Sequence, residues 1–174
     1  MPAADTRGPD AGGEPLVPDR KLLEKLLRFI QVRPRTCGET RDRARRWGYG
    51  GDEAEQAVAY LESRGLIDDE AFAHQFLEEL IRKGYGERRI REKLFAKRLG
   101  RKAIDTAMDE YPYELEAERA LEAAGSAAGK MNRDDPRAFE RKMYSLLLRK
   151  GFASSAARQA CRHLGDIDSE IGPE

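Results

Sequence analysis

The chain has 174 residues, of which 37% are charged, and its 32 Lys and Arg balance its 32 Asp and Glu. This length predicts one domain or a short array of small units, and the zero net charge excludes a uniformly basic nucleic-acid binder. No apolar run reaches the roughly 18 residues of a membrane span, so we expect no membrane contact. Because Cys37 and Cys161 form no disulfide framework and the N-terminus lacks a signal-peptide pattern, we expect a cytoplasmic protein.

The composition favours an all-α fold. Val, Ile and Thr together number 14 of 174 residues, which is too few for a sizeable β-sheet. Residues 1–19 contain four prolines and three glycines, a composition that predicts a disordered tail. Residues 166–174 carry four acidic and no basic residues, so we expect a solvated acidic C-terminal tail.

Between these tails, the spacing of apolar residues and the positions of Gly, Pro and capping residues predict nine helices. In chain order they are expected at about 20–32, 37–47, 52–64, 68–84, 87–98, 101–111, 114–131, 136–150 and 154–164.

The helices follow an internal repeat. The segment from Trp47 to Leu61 aligns without a gap on the segment from Lys150 to Leu164, and a weaker copy lies at 99–111. The matching residues Ala57, Ala107 and Ala160 are separated by 50 and 53 positions. This period predicts an elongated array of three tandem three-helix repeats, at 20–67, 68–111 and 112–165.

Positive charge is concentrated in the second repeat, where residues 82–102 include ten bases and two acids. We expect Ile90 and Leu94 to face the core, so that neighbouring bases project outward. A surface of this kind suits a phosphate backbone or an acidic protein groove, and it has no means of reading base sequence. The alternative is that these bases only form a solvated helix face. Ion pairs between the bases and Glu87 or Glu92 would support this alternative. The predicted surface, termed the basic strip, comprises Arg88, Arg89, Arg91, Lys93, Lys97, Arg98, Arg101 and Lys102.

No motif in the sequence indicates catalysis. Gly84-Tyr85-Gly86 follows a predicted helix, so it is interpreted as a turn and not as a dinucleotide-binding loop. The acidic residues 68–70 are better explained by helix capping than by Mg²⁺ binding. Trp47, at the end of a predicted helix, is more typical of a side chain that packs on the core than of one that stacks on nucleic-acid bases. We therefore expect no enzyme, no cofactor and no metal.

Three motifs near the second repeat resemble a known family. They are Gly65-x-x-Asp68-Asp69-x-x-Phe72-Ala73, then Lys83-Gly84-x-Gly86, then Ile90-x-x-x-Leu94. Together they resemble the RecX family of bacterial regulators of the RecA recombinase, and the similarity of organisation extends over about 20–165. The resemblance implies a fold of three tandem three-helix repeats. Where the family usually has a pair of leucines, this sequence has Thr40 and Ala44, so we expect the second helix to be poorly packed.

The resemblance also implies a function without catalysis. Proteins of this family bind the RecA–DNA filament and modulate, usually as inhibitors, RecA recombination, ATPase and co-protease activity in DNA repair and the SOS response. We expect the basic strip to contact RecA, or single- and double-stranded DNA through its phosphates, with the protein acting as a monomer. Two alternatives stay open: a basic helical module that binds nucleic acid without a recombinase, and a helical scaffold for an unrelated protein.

Overall fold

The computed structural model describes residues 18–170, which contain nine α-helices, one short 3-10 helix and no β-strand. The all-α prediction is therefore confirmed for this part of the chain. Residues 1–17 of the predicted N-terminal tail and residues 171–174 of the C-terminal tail lie outside the described residues. The helices are α1 (Arg20–Val32), α2 (Cys37–Arg46), α3 (Gly51–Ser63), α4 (Asp69–Arg82), α5 (Glu87–Ala96), α6 (Arg101–Met108), the 3-10 helix (Tyr113–Leu115), α7 (Glu116–Ala128), α8 (Pro136–Lys150) and α9 (Ser154–Glu170).

Capping residues determine where several helices begin. The side chains of Asp19, Thr36 and Asp135 accept hydrogen bonds from backbone N–H groups three residues ahead, at 2.8, 3.0 and 3.0 Å. Each bond satisfies a donor that has no partner within the first turn of its helix. Pro136 occupies the first position of α8, where its missing N–H is not needed.

The predicted end of the last helix was wrong. Helix α9 continues to Glu170, six positions past Leu164, so part of the predicted acidic tail is helical. Gly165 follows Leu164, but a single glycine weakens a helix by only about 1 kcal/mol and does not end it. The next helix-breaking residues are Gly172 and Pro173, which lie after the last described helical residue.

Each set of three helices encloses its own apolar core. Ala57, Ala107 and Ala160, the residues aligned by the internal repeat, are all buried, and each belongs to a different cluster. The prediction of three tandem three-helix repeats is thus confirmed. The chain divides into two compact units at Asp68 and Asp69. The first unit holds the first repeat, and the second unit holds the second and third repeats.

Helix α2 is well packed, contrary to expectation. Thr40 and Ala44 are both 0% exposed. The Thr40 hydroxyl donates a 2.8 Å hydrogen bond to the carbonyl oxygen of Thr36. Burial of this hydroxyl is therefore compensated within the helix. Ala44 belongs to the apolar core of the first repeat, and Thr40 is buried as a polar residue.

Candidate interaction surface on the second repeat

The orientation of α5 determines where the basic strip lies. Ile90 and Leu94 are 0% exposed and pack in the core of the second repeat together with Ala73 of α4. Because successive helical residues turn by about 100°, the bases of α5 and of the following turn are distributed around the remaining circumference. The structure separates the eight bases of the strip into four environments.

The first environment lies at the N-terminal end of α5. Arg89 forms a 2.8 Å ion pair with Glu92, and Arg88 lies 3.9 Å from the same carboxylate. A second guanidinium nitrogen of Arg88 donates a 2.7 Å hydrogen bond to the carbonyl oxygen of Leu148 on α8. Arg88 therefore connects the second repeat to the third through its side chain.

The backbone makes the same connection. The N–H of Gly86 donates to the carbonyl oxygen of Lys150 at 2.9 Å, and the N–H of Arg88 donates to that of Gly151 at 3.2 Å. N–H groups at the start of α5, which have no partner within that helix, thus donate to carbonyl groups at the end of α8, which also have none within theirs. The positive end of one helix dipole therefore lies next to the negative end of the other. The ammonium group of Lys150 also donates to the carbonyl oxygen of Gly84 at 3.2 Å.

Glycine is required on both sides of this junction. A Cβ atom on Gly86 would lie 2.4 Å from the backbone nitrogen of Phe152. A Cβ atom on Gly151, whose φ is +92°, would lie 2.3 Å from the backbone nitrogen of Arg89. Gly86 of the Lys83-Gly84-x-Gly86 motif therefore allows two backbones to approach closely, in addition to forming the predicted turn. Sequence spacing alone could not indicate the partner on α8.

Arg91 occupies the second environment, on the side of α5 that faces α6. Its guanidinium contacts Glu87 at 2.9 Å, Asp105 of α6 at 3.1 Å and the hydroxyl of Tyr113 at 3.3 Å. The hydrogen bond to Glu87 is the largest of the effects that raise the pKa of Arg91 above its usual value. The side chain is 40% exposed. Arg91 thus joins α5, α6 and the 3-10 helix. The helical spacing had predicted instead that its side chain projects outward.

Lys93 and Lys97 form the third environment and lie against aromatic rings. The ammonium group of Lys93 is 4.8 Å from the ring centre of Tyr85, and that of Lys97 is 5.3 Å from the ring centre of Phe76. Phe72, from the family motif, lies 5.9 Å from Lys97 and is half-buried. These contacts have cation–π geometry, so both lysines cover the apolar flank between α5 and α4.

The last environment spans the end of α5 and the start of α6. Arg98, Arg101 and Lys102 are exposed, and the 3.3 Å ion pair of Lys102 with Glu70 involves an ammonium-bearing side chain that is 88% exposed. Such pairs hold a side chain only weakly. Phe95, on the same outward part of α5, is 69% exposed. Sequence reasoning missed Phe95, although its position directly after the inward Leu94 was the available signal.

The remaining motif residues shape the turns and helix start of the second repeat. Gly65 and Gly84 have φ values of +65° and +70° and follow the ends of α3 and α4. Helix α4 begins at Asp69, directly after Asp68. Within residues 18–170, no cluster of three or more His, Cys, Asp or Glu has the arrangement of a metal site. None of the helices in this range combines the length and apolar character that crossing a membrane requires.

The bases of the first repeat are engaged differently. Arg41 and Arg45 both pair with Glu55 of α3. The Arg35 guanidinium lies 4.1 Å from the ring centre of Phe29, which meets Trp47 edge-on at 6.3 Å. Burial, the largest cause, lowers the pKa of Arg35. Basic side chains in this repeat therefore either pair with Glu55 or lie against the ring pair of Phe29 and Trp47, and Trp47 packs against the core.

Comparison with known families covers all three repeats. Residues 23–61 match the model of the RecX first three-helix domain, residues 68–108 that of the RecX second three-helix domain, and residues 114–161 that of the RecX third three-helix domain. The three matches occur in the family order, and the matched segments correspond to the three separate cores.

Individual relatives agree with this assignment. Regulatory protein RecX of Salmonella paratyphi A is 28% identical over 158 residues, which cover 84% of this chain and 93% of that protein. The protein of the same name from Listeria innocua is 28% identical over 142 residues, or 81% of this chain, but the match spans only 53% of its length. For Clostridium botulinum the identity is 27% over 134 residues, and the match spans 63% of the relative.

Solved structures show the same fold. The crystal structure of RecX from Lactobacillus salivarius has a TM-score of 0.71 at 22% identity and matches over 83% of this chain and 95% of that one. A second crystal structure, of regulatory protein RecX, has a TM-score of 0.72 at 26% identity, over 80% of this chain and 71% of that one. With three domain models matched in order and relatives that share this name, the chain belongs to the RecX family.

Proposed function

We propose that this protein is a non-enzymatic regulator that binds the RecA–DNA filament and inhibits RecA recombination, ATPase and co-protease activity in DNA repair and the SOS response. The observation that carries the proposal is the match of all three RecX domains, in order, to the three repeats. The naming of the relatives as regulatory proteins supports a role that requires no catalysis.

The second unit offers a surface suited to this role. The exposed bases Arg98, Arg101 and Lys102 lie close together in sequence, around the turn between α5 and α6. Positive side chains in this position favour a partner that presents carboxylates or phosphates. Because backbone hydrogen bonds join α5 to α8, the surface belongs to a preorganised body, which lowers the entropic cost of binding.

The proposal is tested by measuring the single-strand-dependent ATPase of the cognate RecA while this protein is titrated in at physiological salt. DNA is kept in excess, so that competition for naked strands cannot imitate inhibition. Loss of activity far below one copy per RecA protomer would indicate capping of filament ends, and loss near stoichiometry would indicate coating of the groove. Unchanged ATPase activity would refute the proposal.

A variant with three charge reversals tests whether the basic strip is responsible for inhibition of RecA. Replacement of Arg98, Arg101 and Lys102 by Glu is expected to abolish inhibition while helicity and melting temperature are retained. The matched control reverses three exposed bases of α8, namely Arg137, Arg141 and Lys142, and gives the same net charge. Equal loss of inhibition in both variants would show that overall charge, and not the basic strip, governs binding.

Direct nucleic-acid binding is the second candidate, because exposed Arg and Lys side chains contact phosphates readily. It predicts that the protein binds bare DNA without RecA and that this affinity falls steeply with salt. It also predicts that the triple reversal weakens binding to every DNA sequence alike. Clean DNA binding together with an unchanged RecA ATPase would favour this candidate.

A further inference from the structure

Aromatic and basic side chains alternate in the first repeat where α1 meets the end of α2. Lys25 and Phe29 of α1 are four positions apart, as are Arg43 and Trp47 at the end of α2, so each pair shares one face of its helix. The ammonium group of Lys25 lies 5.8 Å from the ring centre of Trp47, and the guanidinium carbon of Arg43 lies 5.1 Å from that of Phe29. Each helix therefore places its cation over the ring of the other. This group, termed the aromatic–basic cluster, comprises Lys25, Phe29, Arg35, Arg43, Trp47 and Tyr49.

The rings of the aromatic–basic cluster are only partly used by the core. Trp47 and Tyr49 pack against the core of the first repeat and are partly exposed. Phe29 is also partly exposed, and that core is formed without it. Phe29 and Trp47 meet edge-on, at 6.3 Å and 77°, so neither ring is stacked face to face on the other. Both rings therefore keep exposed surface on which another planar group can stack.

The cations of the aromatic–basic cluster have no acidic partner. In the part of the chain that the structure describes, Lys25, Arg35 and Arg43 form no ion pair, and their contacts are with rings. Arg45, two positions after Arg43, differs because it lies 3.3 Å from Glu55. Three positive charges are thus held close together without a counter-charge, which is unfavourable in the free protein and favours an anionic ligand.

Arg35 also has an unsatisfied hydrogen-bond donor. Its Nε–H group is buried and meets no acceptor among residues 18–170. Burial lowers the pKa of this guanidinium most, and the positive charges of Arg33 and Arg43 lower it further, whereas Glu39 acts in the opposite direction. Glu39 is already paired with Arg33 at 3.1 Å. An anion beside Arg35 would therefore compensate a charge that the fold leaves incompletely neutralised.

We propose that the aromatic–basic cluster binds single-stranded nucleic acid. Lys25, Arg35 and Arg43 contact phosphates, and bases stack on the exposed surface of Phe29 and Trp47. Rings interleaved with positive charge are typical of sites that bind single strands without reading their sequence. A duplex does not suit the rings, because its bases are stacked on one another. An acidic protein would compensate the charge but would make no use of the rings.

This inference goes beyond the proposed function, because it requires no recombinase. The aromatic–basic cluster lies in the first unit, whereas the basic strip lies in the second. The two surfaces are therefore tested separately, the first by binding of oligo(dT) in the absence of RecA.

Trp47 is the only tryptophan in the chain, so its fluorescence reports on the cluster directly. Titration of the full-length protein with oligo(dT) is expected to quench this fluorescence to saturation. An abasic strand of the same length keeps the phosphates and is expected to bind at least 5-fold more weakly, because it offers no base to stack. The logarithm of the affinity for oligo(dT) should fall with that of salt concentration with a slope of about 2, as for three phosphate contacts on a single strand. Polyglutamate is expected not to bind.

Two pairs of variants separate the ring from the charge. Phe29→Leu keeps an apolar side chain and is expected to leave the melting temperature unchanged and to weaken oligo(dT) binding by about 10-fold, whereas Phe29→Tyr keeps the ring and should retain binding. Arg43→Ala is expected to weaken binding and to reduce the salt slope by about 0.7. Arg45→Ala, its matched control, removes the same charge from another side of α2 and should change neither value.

Each contrary outcome overturns the inference. Equal binding of the abasic strand and oligo(dT), or equal effects of Arg43→Ala and Arg45→Ala, would show general attraction between charges. Quenching by polyglutamate in place of oligo(dT) would assign the cluster to an acidic protein. Unchanged oligo(dT) affinity in Phe29→Leu would show that the ring serves only the fold. A protein that binds oligo(dT) in this way but leaves the RecA ATPase unchanged would refute the proposed function alone, and one that inhibits RecA without binding oligo(dT) would refute this inference alone.

Discussion

The two ends of α5 carry similar positive charge and use it differently. At the N-terminal end, Arg88 and the backbone of Gly86 bind the carbonyl groups that end α8. At the C-terminal end, Arg98 and Phe95 are exposed, and Arg98 is held in a strained conformation. Bases in one run of sequence therefore differ in exposure, and those at the N-terminal end join α5 to α8. Charge density predicts where a basic surface lies, but only the contacts reveal which of its members are available to a partner.

The largest loss of stability is expected at the junction between the start of α5 and the end of α8. Gly151→Ala places a Cβ atom 2.3 Å from the backbone nitrogen of Arg89 at a φ of +92°. The overlap and the left-handed strain together should lower the free energy of unfolding by about 3 kcal/mol. Urea denaturation followed by far-UV circular dichroism measures this loss.

Gly48→Ala is the matched control for Gly151→Ala. Gly48 has a φ of +90°, and a Cβ atom there would meet no atom within 4 Å. Only the conformational cost remains, so a loss of about 1 kcal/mol is expected. If both substitutions cost the same, the overlap with the backbone of Arg89 would add nothing to the conformational cost.

A smaller loss of stability is expected when bases of α5 that form ion pairs within the fold are replaced. Arg91→Ala removes contacts to Glu87, Asp105 and Tyr113 and should cost about 1–2 kcal/mol, since charge-assisted hydrogen bonds and packing of the side-chain stem are both lost. Arg89→Ala removes one exposed pair with Glu92 and should cost less than about 0.5 kcal/mol. Thermal unfolding of the two variants compares these values, and indistinguishable melting temperatures would contradict the structural role of Arg91.

Local features of the sequence were sufficient to predict the helices and the core positions. The cap at Asp135 and the inward spacing of Ile90 and Leu94 depend on residues within a few positions, so a single sequence contains the signals that predict them. The division of the basic strip depends on distant partners: Arg88 binds a carbonyl 60 positions away, and Arg91 a carboxylate 14 positions away. No periodicity encodes such contacts.

The same reasoning explains two errors in the sequence analysis. Thr40 was expected to loosen α2, but its hydroxyl bonds to the preceding turn, which a composition-based comparison with leucine does not consider. Phe95 was omitted from the strip because only charged residues were sought there. In each case the pattern considered one property of the side chains, and the structure shows another: the hydrogen bond of Thr40 and the exposure of Phe95.

The smallest net effect is expected when the left-handed residues of the first two repeats are exchanged. Gly48→Arg introduces the strain of a Cβ atom into open space and should cost about 1 kcal/mol, whereas Arg98→Gly should stabilise by about the same amount. Because the two positions lie in different units, the effects should add to within about 0.5 kcal/mol. The double variant is then close to the unmodified protein in its urea midpoint and has the same composition and net charge. Inhibition of RecA should nevertheless be weakened, since an arginine at position 48 does not lie next to Arg101 and Lys102 of the basic strip. Retained inhibition would mean that arginine content, and not the position of Arg98 in the basic strip, is what the partner recognises.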